Sequence, residues 1–172
     1  MDIMADRQAA AARKARPQQG FSLIELLIVV AIILIIAAIA IPNLMKARMT
    51  ANEASAVESV RTVTTAENTY AATCPSVGFS ASLTELNTGA LCSGGTNILD
   101  NILGGSDPSF KSGYKFTYTF VAVSGLNTSF TVTAVPVTQG ITGQRGFFSD
   151  QTDVIRYTLN GAAPTAASSP LN

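Results

Sequence analysis

The sequence predicts an α+β protein in which one long N-terminal helix packs on a four-stranded antiparallel sheet. Three observations carry that prediction. Residues 26–41 contain no charged or strongly polar side chain, and helical spacing continues past them to about residue 73. Residues 114–123 and 129–137 alternate at a period of two, as half-buried strands do. The intervening residues 74–113 are broken by Pro75, Gly78, Gly89, Gly94, Gly95, Gly104, Gly105 and Pro108, which punctuate loops.

The chain opens with a polar leader, residues 1–20, carrying Arg7, Arg13, Lys14 and Arg16 against Asp2 and Asp6. Positive charge beside an apolar run places that end in the cytoplasm. Residues 21–41 follow, and as a helix they extend about 31 Å, close to the thickness of a bilayer's hydrocarbon core. Glu25 is the only charged residue inside the run. Two kinds of processing suit such a segment. Ala38, Ile39 and Ala40 loosely fit the small-x-small site at which an ordinary secretory signal is cut. Arg16, Pro17, Gln18, Gln19 and Gly20, followed by Phe21, Ser22, Leu23, Ile24, Glu25 and Leu26, instead resemble the type IV prepilin motif, and the resemblance runs through Pro42. The length of the apolar run and the presence of Glu25 favour the second pattern.

The resemblance implies the pilin fold, with the first half of the helix protruding as a hydrophobic stalk and the second half packed on the sheet. It implies that a prepilin peptidase/N-methyltransferase cuts after Gly20 and methylates the new terminus, Phe21. It further implies that Glu25 pairs with the terminal amine, in its own subunit or a neighbour, and registers incoming subunits. The implied partners are further copies of the chain in a homopolymeric filament, an assembly ATPase and an inner-membrane platform complex. The chain would cross the inner membrane once before assembly and lie in an extracellular pilus afterwards, or in the periplasm if it is a pseudopilin of type II secretion. The physics of Glu25 agrees. It lies about 6 Å along the helix from Phe21, near the membrane interface. Among packed apolar helices the same carboxylate needs a partner.

Pro42 lacks the N–H that would bond to Ala38 and clashes there, at a cost of about 3 kcal/mol or more, so it ends or kinks the helix. Helical spacing resumes at once, which favours a kink. Leu44, Ala47, Ala51, Ala54, Val57, Val60 and Val63 mark an apolar stripe, with Lys46, Arg48, Glu53, Glu58, Arg61 and Glu67 at the polar positions. The helical element therefore covers residues 21–73, and a globular head covers residues 74–172.

Within the head, residues 74–112 read as a loop with two short apolar patches, residues 79–86 and 98–103, each suited to a helical turn. Cys74 and Cys92 are the only cysteines. Outside the cytoplasm they favour a disulfide, which would close a loop of about 18 residues and contribute about 3 kcal/mol. Many members of the family place their disulfide near the C-terminus instead. Two cysteines without a histidine do not make a zinc site. Residues 113–159 hold the sheet, with strands at 114–123, 129–137, 146–149 and 154–158, and residues 160–172 read as a mobile tail. Asp150 and Asp153 invite comparison with the calcium loop of major pseudopilins, but two aspartates in a hairpin turn are more often turn formers, and no cofactor is expected.

Composition narrows the function. With no histidine and no phosphate-binding glycine loop, an enzyme is not expected. Of eleven Lys/Arg and eleven Asp/Glu, four and two lie in residues 1–20; the remainder, seven against nine, forms no basic stripe, and direct nucleic-acid binding is not predicted. Three expectations follow: a structural subunit of a type IV pilus serving adhesion, motility or DNA uptake; a major pseudopilin; and a membrane-tethered or secreted binding domain. A simple tether needs no Glu25.

Overall fold

The computed structural model describes residues 20–88 and 97–171; residues 1–19 of the expected leader and Cys92 lie outside them. The chain divides into two units, Met1–Ile41 and Pro42–Asn172. One helix, α1 (Leu23–Thr73, 51 residues), contributes residues to both, and Pro42 lies inside it.

In the second unit α1 is followed by α2 (Leu83–Thr88) and α3 (Asn101–Gly104). Asp100 caps α3 by accepting the N–H groups of Ile102 and Leu103. Six strands come next: β1 (Ser109–Lys111), β2 (Tyr114–Val123), β3 (Leu126–Pro136), β4 (Gly146–Asp150), β5 (Arg156–Thr158) and β6 (Ser169–Pro170). They form one antiparallel sheet in which spatial order equals chain order.

Two turns set the register of the long strands. Ser112 and Gly113 have φ of 49° and 73°, and Ser124 and Gly125 have φ of 54° and 85°. Positive φ at both central residues is the type I′ requirement, whose twist matches that of the flanking strands. The first of these turns makes residues 109–111 a strand, although the sequence reading leaves them in the loop. The expected sheet of four strands thus gains β1 at one edge and β6 at the other.

The β6 strand also corrects the expectation of a mobile tail. Arg156 Nη1 donates to the carbonyl of Ser168 at 3.0 Å, and the N–H of Leu171 donates to the carbonyl of Ile155 at 2.7 Å. Composition signalled disorder, but these main-chain groups find partners on β5 and the loop before it.

The core lies between the second half of α1 and one face of the sheet. Tyr70, Tyr114, Phe116, Phe130 and Phe147 are its largest fully buried side chains. Phe79 meets Phe130 edge-on at 4.9 Å between centroids. The buried stripe of α1 runs through Glu53, Ala56, Val60, Val63, Glu67 and Tyr70, at alternating three- and four-residue steps. Glu53 and Glu67, read from sequence as polar-face residues, therefore sit on the core face, whereas Glu58 and Arg61 form an exposed pair at 3.8 Å.

Candidate functional site

The N-terminal segment supplies the first group of side chains. Phe21 is 81 % exposed, and α1 begins two residues later. Ser22 occupies the cap position and Glu25 the third helical one. The Ser22 N–H donates to Glu25 Oε2 at 2.9 Å, and the Leu26 N–H reaches the Ser22 carbonyl at 3.3 Å. This is one half of a capping box: the carboxylate satisfies a main-chain donor and sits where the positive end of the helix dipole favours negative charge. The sequence reading gave Glu25 only the terminal amine. The spacing Ser22, Leu23, Ile24, Glu25 is the S-x-x-E signature, so the second role was legible.

Behind this cap, residues 23–41 bury none of their side chains, all of them described. Exposure of the large apolar ones runs from 45 % at Val30 to 80 % at Leu23. The most apolar 18-residue window has a mean hydropathy of 3.3, so the helix is long and apolar enough to cross a membrane. Pro42, lacking an N–H, leaves the carbonyl of Ala38 without its helical donor.

In the second unit two carboxylates of α1 are engaged by the chain beyond it. Glu53 accepts the N–H groups of Gln144 at 2.8 Å and Arg145 at 3.2 Å, and the Arg145 Nε–H at 2.7 Å. Burial alone would raise its pKa; these donors outweigh burial and hold the carboxyl below its usual range. The Arg145 guanidinium also lies 5.6 Å from the Phe147 ring centroid and 5.9 Å from that of Tyr157. Glu67 is fully buried and accepts the Ser80 N–H at 2.9 Å as well as the Ser80 hydroxyl. Here burial prevails and the pKa is raised, the donors offsetting only part of it. Next to it, the Tyr70 hydroxyl donates to Glu85 Oε1 at 2.7 Å. The stripe expected from sequence shares only Val60 and Val63 with the buried one: Leu44, Ala47, Ala51 and Ala54 are exposed, and the partners that hold Glu53 and Glu67 on the core face lie 13 to 92 residues away, beyond any local signal.

The remaining candidates fall in separate places. Cys74 is fully buried and disulfide-bonded, and Cys92 lies outside the described residues. Asp150 accepts the Thr152 N–H and hydroxyl, and Asp153 (φ 61°) accepts the Asn68 amide with both oxygens, at 2.9 and 3.1 Å. Each aspartate thus shapes or anchors the β4–β5 turn. Asn68 and Asp153 line an open groove of about 780 Å³ that includes Arg61, Thr65 and Leu171.

The comparisons with known proteins concern the N-terminal segment. Residues 15–41 match the family described as the prokaryotic N-terminal methylation motif. Over 38 residues the chain is 63 % identical to the type IV wide pilus major component PilA4 of Thermus thermophilus. That stretch is 22 % of this chain and spans 29 % of the relative's length. No solved structure matches the chain. The motif and the relative support a likeness to the type IV pilin family in the N-terminal segment, which coincides with the helix long and apolar enough to cross a membrane.

Proposed function

We propose that the chain is a prepilin whose mature form is a structural subunit of a type IV pilus, held in a helical surface filament by residues 21–41. The observation that carries this is the coincidence of the methylation motif with a helical segment, residues 23–41, that buries none of its apolar side chains. Such a surface is unstable in water. It is tolerated in lipid, and in a bundle of identical helices it becomes a core. Full burial of a large apolar side chain is worth about 1.5–3 kcal/mol against water, and less against lipid. Repeated contacts between unlike patches of identical subunits generate an open helical polymer.

The cap gives the N-terminus a defined chemistry. Cleavage after Gly20 creates an amine on Phe21, one residue from the N–H that Glu25 already holds. The carboxylate has lone pairs left for that ammonium or for a neighbour's, and once water is gone an unpaired charge there is expensive. Glu25 is therefore a registration group: a subunit seated where its carboxylate meets an amine is stable, and a misplaced one is not. The peptidase, the assembly ATPase and the platform complex act on this segment before and during assembly, and adhesion, motility or DNA uptake would be exercised by the finished fibre. The disulfide is assigned to Cys74 and Cys92.

Intact mass and N-terminal sequencing of the protein, from sheared surface fibres and separately from membranes, test the reading. A chain starting at N-methyl-Phe21 and abundant in the sheared fraction is expected. The same terminus confined to membranes would indicate a type II secretion pseudopilin. A chain starting at Ile41 would overturn the prepilin assignment.

A further inference from the structure

The β2–β3 hairpin outruns the rest of its sheet. β1 covers β2 only from Tyr114 to Phe116. On the other side, the tip of β3 is covered: the Phe79 N–H donates to the Asn127 carbonyl at 3.1 Å, and the Asn127 N–H to the Val77 carbonyl at 2.8 Å. The two-residue turn at Ser112 and Gly113 makes Lys111 and Tyr114 a hydrogen-bonded pair. Main-chain groups at even positions of β2 therefore aim at the β1 side and those at odd positions at β3. Beyond Phe116, the N–H and C=O groups of Tyr118, Phe120 and Ala122 face an edge with no strand on it among the described residues.

This edge lacks the devices that ordinarily blunt one. No charged residue occurs between Lys115 and Arg145, and the bare part of β2 contains no proline. Toward its tip apolar side chains are instead open to solvent: Phe120 is 41 % exposed, Val121 56 % and Val123 55 %. The far edge of the sheet differs, since β6 has two residues and ends in Pro170, which has no N–H to offer. Strand addition can therefore take place at the β2 edge but cannot continue head to tail from β6.

We propose that the bare edge of β2 pairs antiparallel with the same edge of a second copy, across a two-fold axis at Phe120. The free groups are symmetric about that residue: Phe120 meets Phe120, and Tyr118 meets Ala122, with about six main-chain hydrogen bonds available. Identical strands ordinarily repel through like charges placed opposite one another; this segment carries none. A partner selected by charge would find nothing to read here, whereas the edge matches itself. One such contact is small and weak. It gains strength by repetition when subunits are arrayed on fibres, which is the sense in which the inference rests on the filament reading. A single helical polymer has no two-fold axis that every subunit must share, so the pairing joins neighbouring filaments side by side.

The test uses full-length protein with Phe120→Lys, which puts like charges on the axis, and Ala122→Pro, which removes an edge N–H that the folded head does not use. Expected are wild-type filaments in lateral bundles by electron microscopy, and variant filaments of normal yield with bundling reduced about fivefold or more. In parallel, a short bismaleimide should cross-link Phe120→Cys chains into dimers, while Leu159→Cys, more exposed at 71 % against 41 %, should not. Unchanged bundling in both edge variants, or cross-linking no better than the Leu159→Cys control, overturns the proposal. So does loss of a different bound protein in Phe120→Lys without any self cross-link. Absence of wild-type filaments would sink the filament reading alone, and cross-linking of the detergent-solubilised chain would then decide the edge pairing.

Discussion

Between Leu23 and Ile41, α1 carries Glu25 as its one charged side chain and buries nothing; between Pro42 and Thr73 it carries Lys46, Arg48, Glu53, Glu58, Arg61 and Glu67 and buries a continuous stripe. The backbone conformation is the same in both. What separates them is where the partner comes from. The second half finds a sheet in its own chain, so even its carboxylates are satisfied intramolecularly. Among the described residues of its own unit the first half buries no side chain, and Glu25 accepts the N–H of Ser22. An exposed apolar helical surface of this size suits lipid or other copies of the chain.

The sharpest way to break this comparison is Glu25→Ala. If the carboxylate serves assembly, the sheared-fibre fraction should fall about 100-fold or more, as expected for an uncompensated buried amine, while membrane levels hold. Glu25→Ala fibres at wild-type yield would reduce the residue to a helix cap.

Removing a carboxylate from the other half should cost folding rather than assembly. Glu67→Ala leaves the Ser80 donors and a cavity behind it, and thermal or denaturant melting of the detergent-solubilised chain should show a loss of about 2–4 kcal/mol. Glu53→Ala strands the Gln144 and Arg145 donors at a partly solvated site and should cost about 1–3 kcal/mol.

The same two residues should differ in sign with pH. Glu67 has a raised folded pKa, so the unfolded chain loses its proton first as pH rises; stability falls from the ordinary carboxyl pKa of 4.5 upward to the folded value. Glu53 has a lowered one, so its contribution is full above 4.5 and disappears as pH falls through the folded value. Melting profiles of Glu67→Gln and Glu53→Gln against wild type should remove these opposite slopes separately, and slopes of the same sign would refute the assignment. The smallest effect is expected from Arg156→Ala, which frees the tail at about 0.5–1.5 kcal/mol and should speed proteolysis near Ser168.

Much of this was legible in residue order. The helix, the strands from Tyr114 onward and the processing motif rest on local signals: an unbroken apolar run, period-two alternation and a short motif at fixed spacing. The S-x-x-E cap was equally local and was hidden only by a more familiar role for Glu25. The burial of Glu67 was not legible, because a glutamate reads as solvent-facing until Ser80 is seen to supply its donors. The docking of residues 168–171 was missed for a related reason: Ala, Ser, Thr and Pro report little side-chain energy, while the bonds that hold the segment are donated or accepted by main-chain groups.

The sheet's connectivity bears on how the head would fold if it is exported as proposed. Every strand from β2 to β6 pairs with the one made immediately before it. No strand has to wait for a distant segment, and each new pairing closes only a short loop, the topology that folds quickly. A head translocated from its helix outward can therefore build its sheet in step with export, each emerging strand meeting an edge already in place.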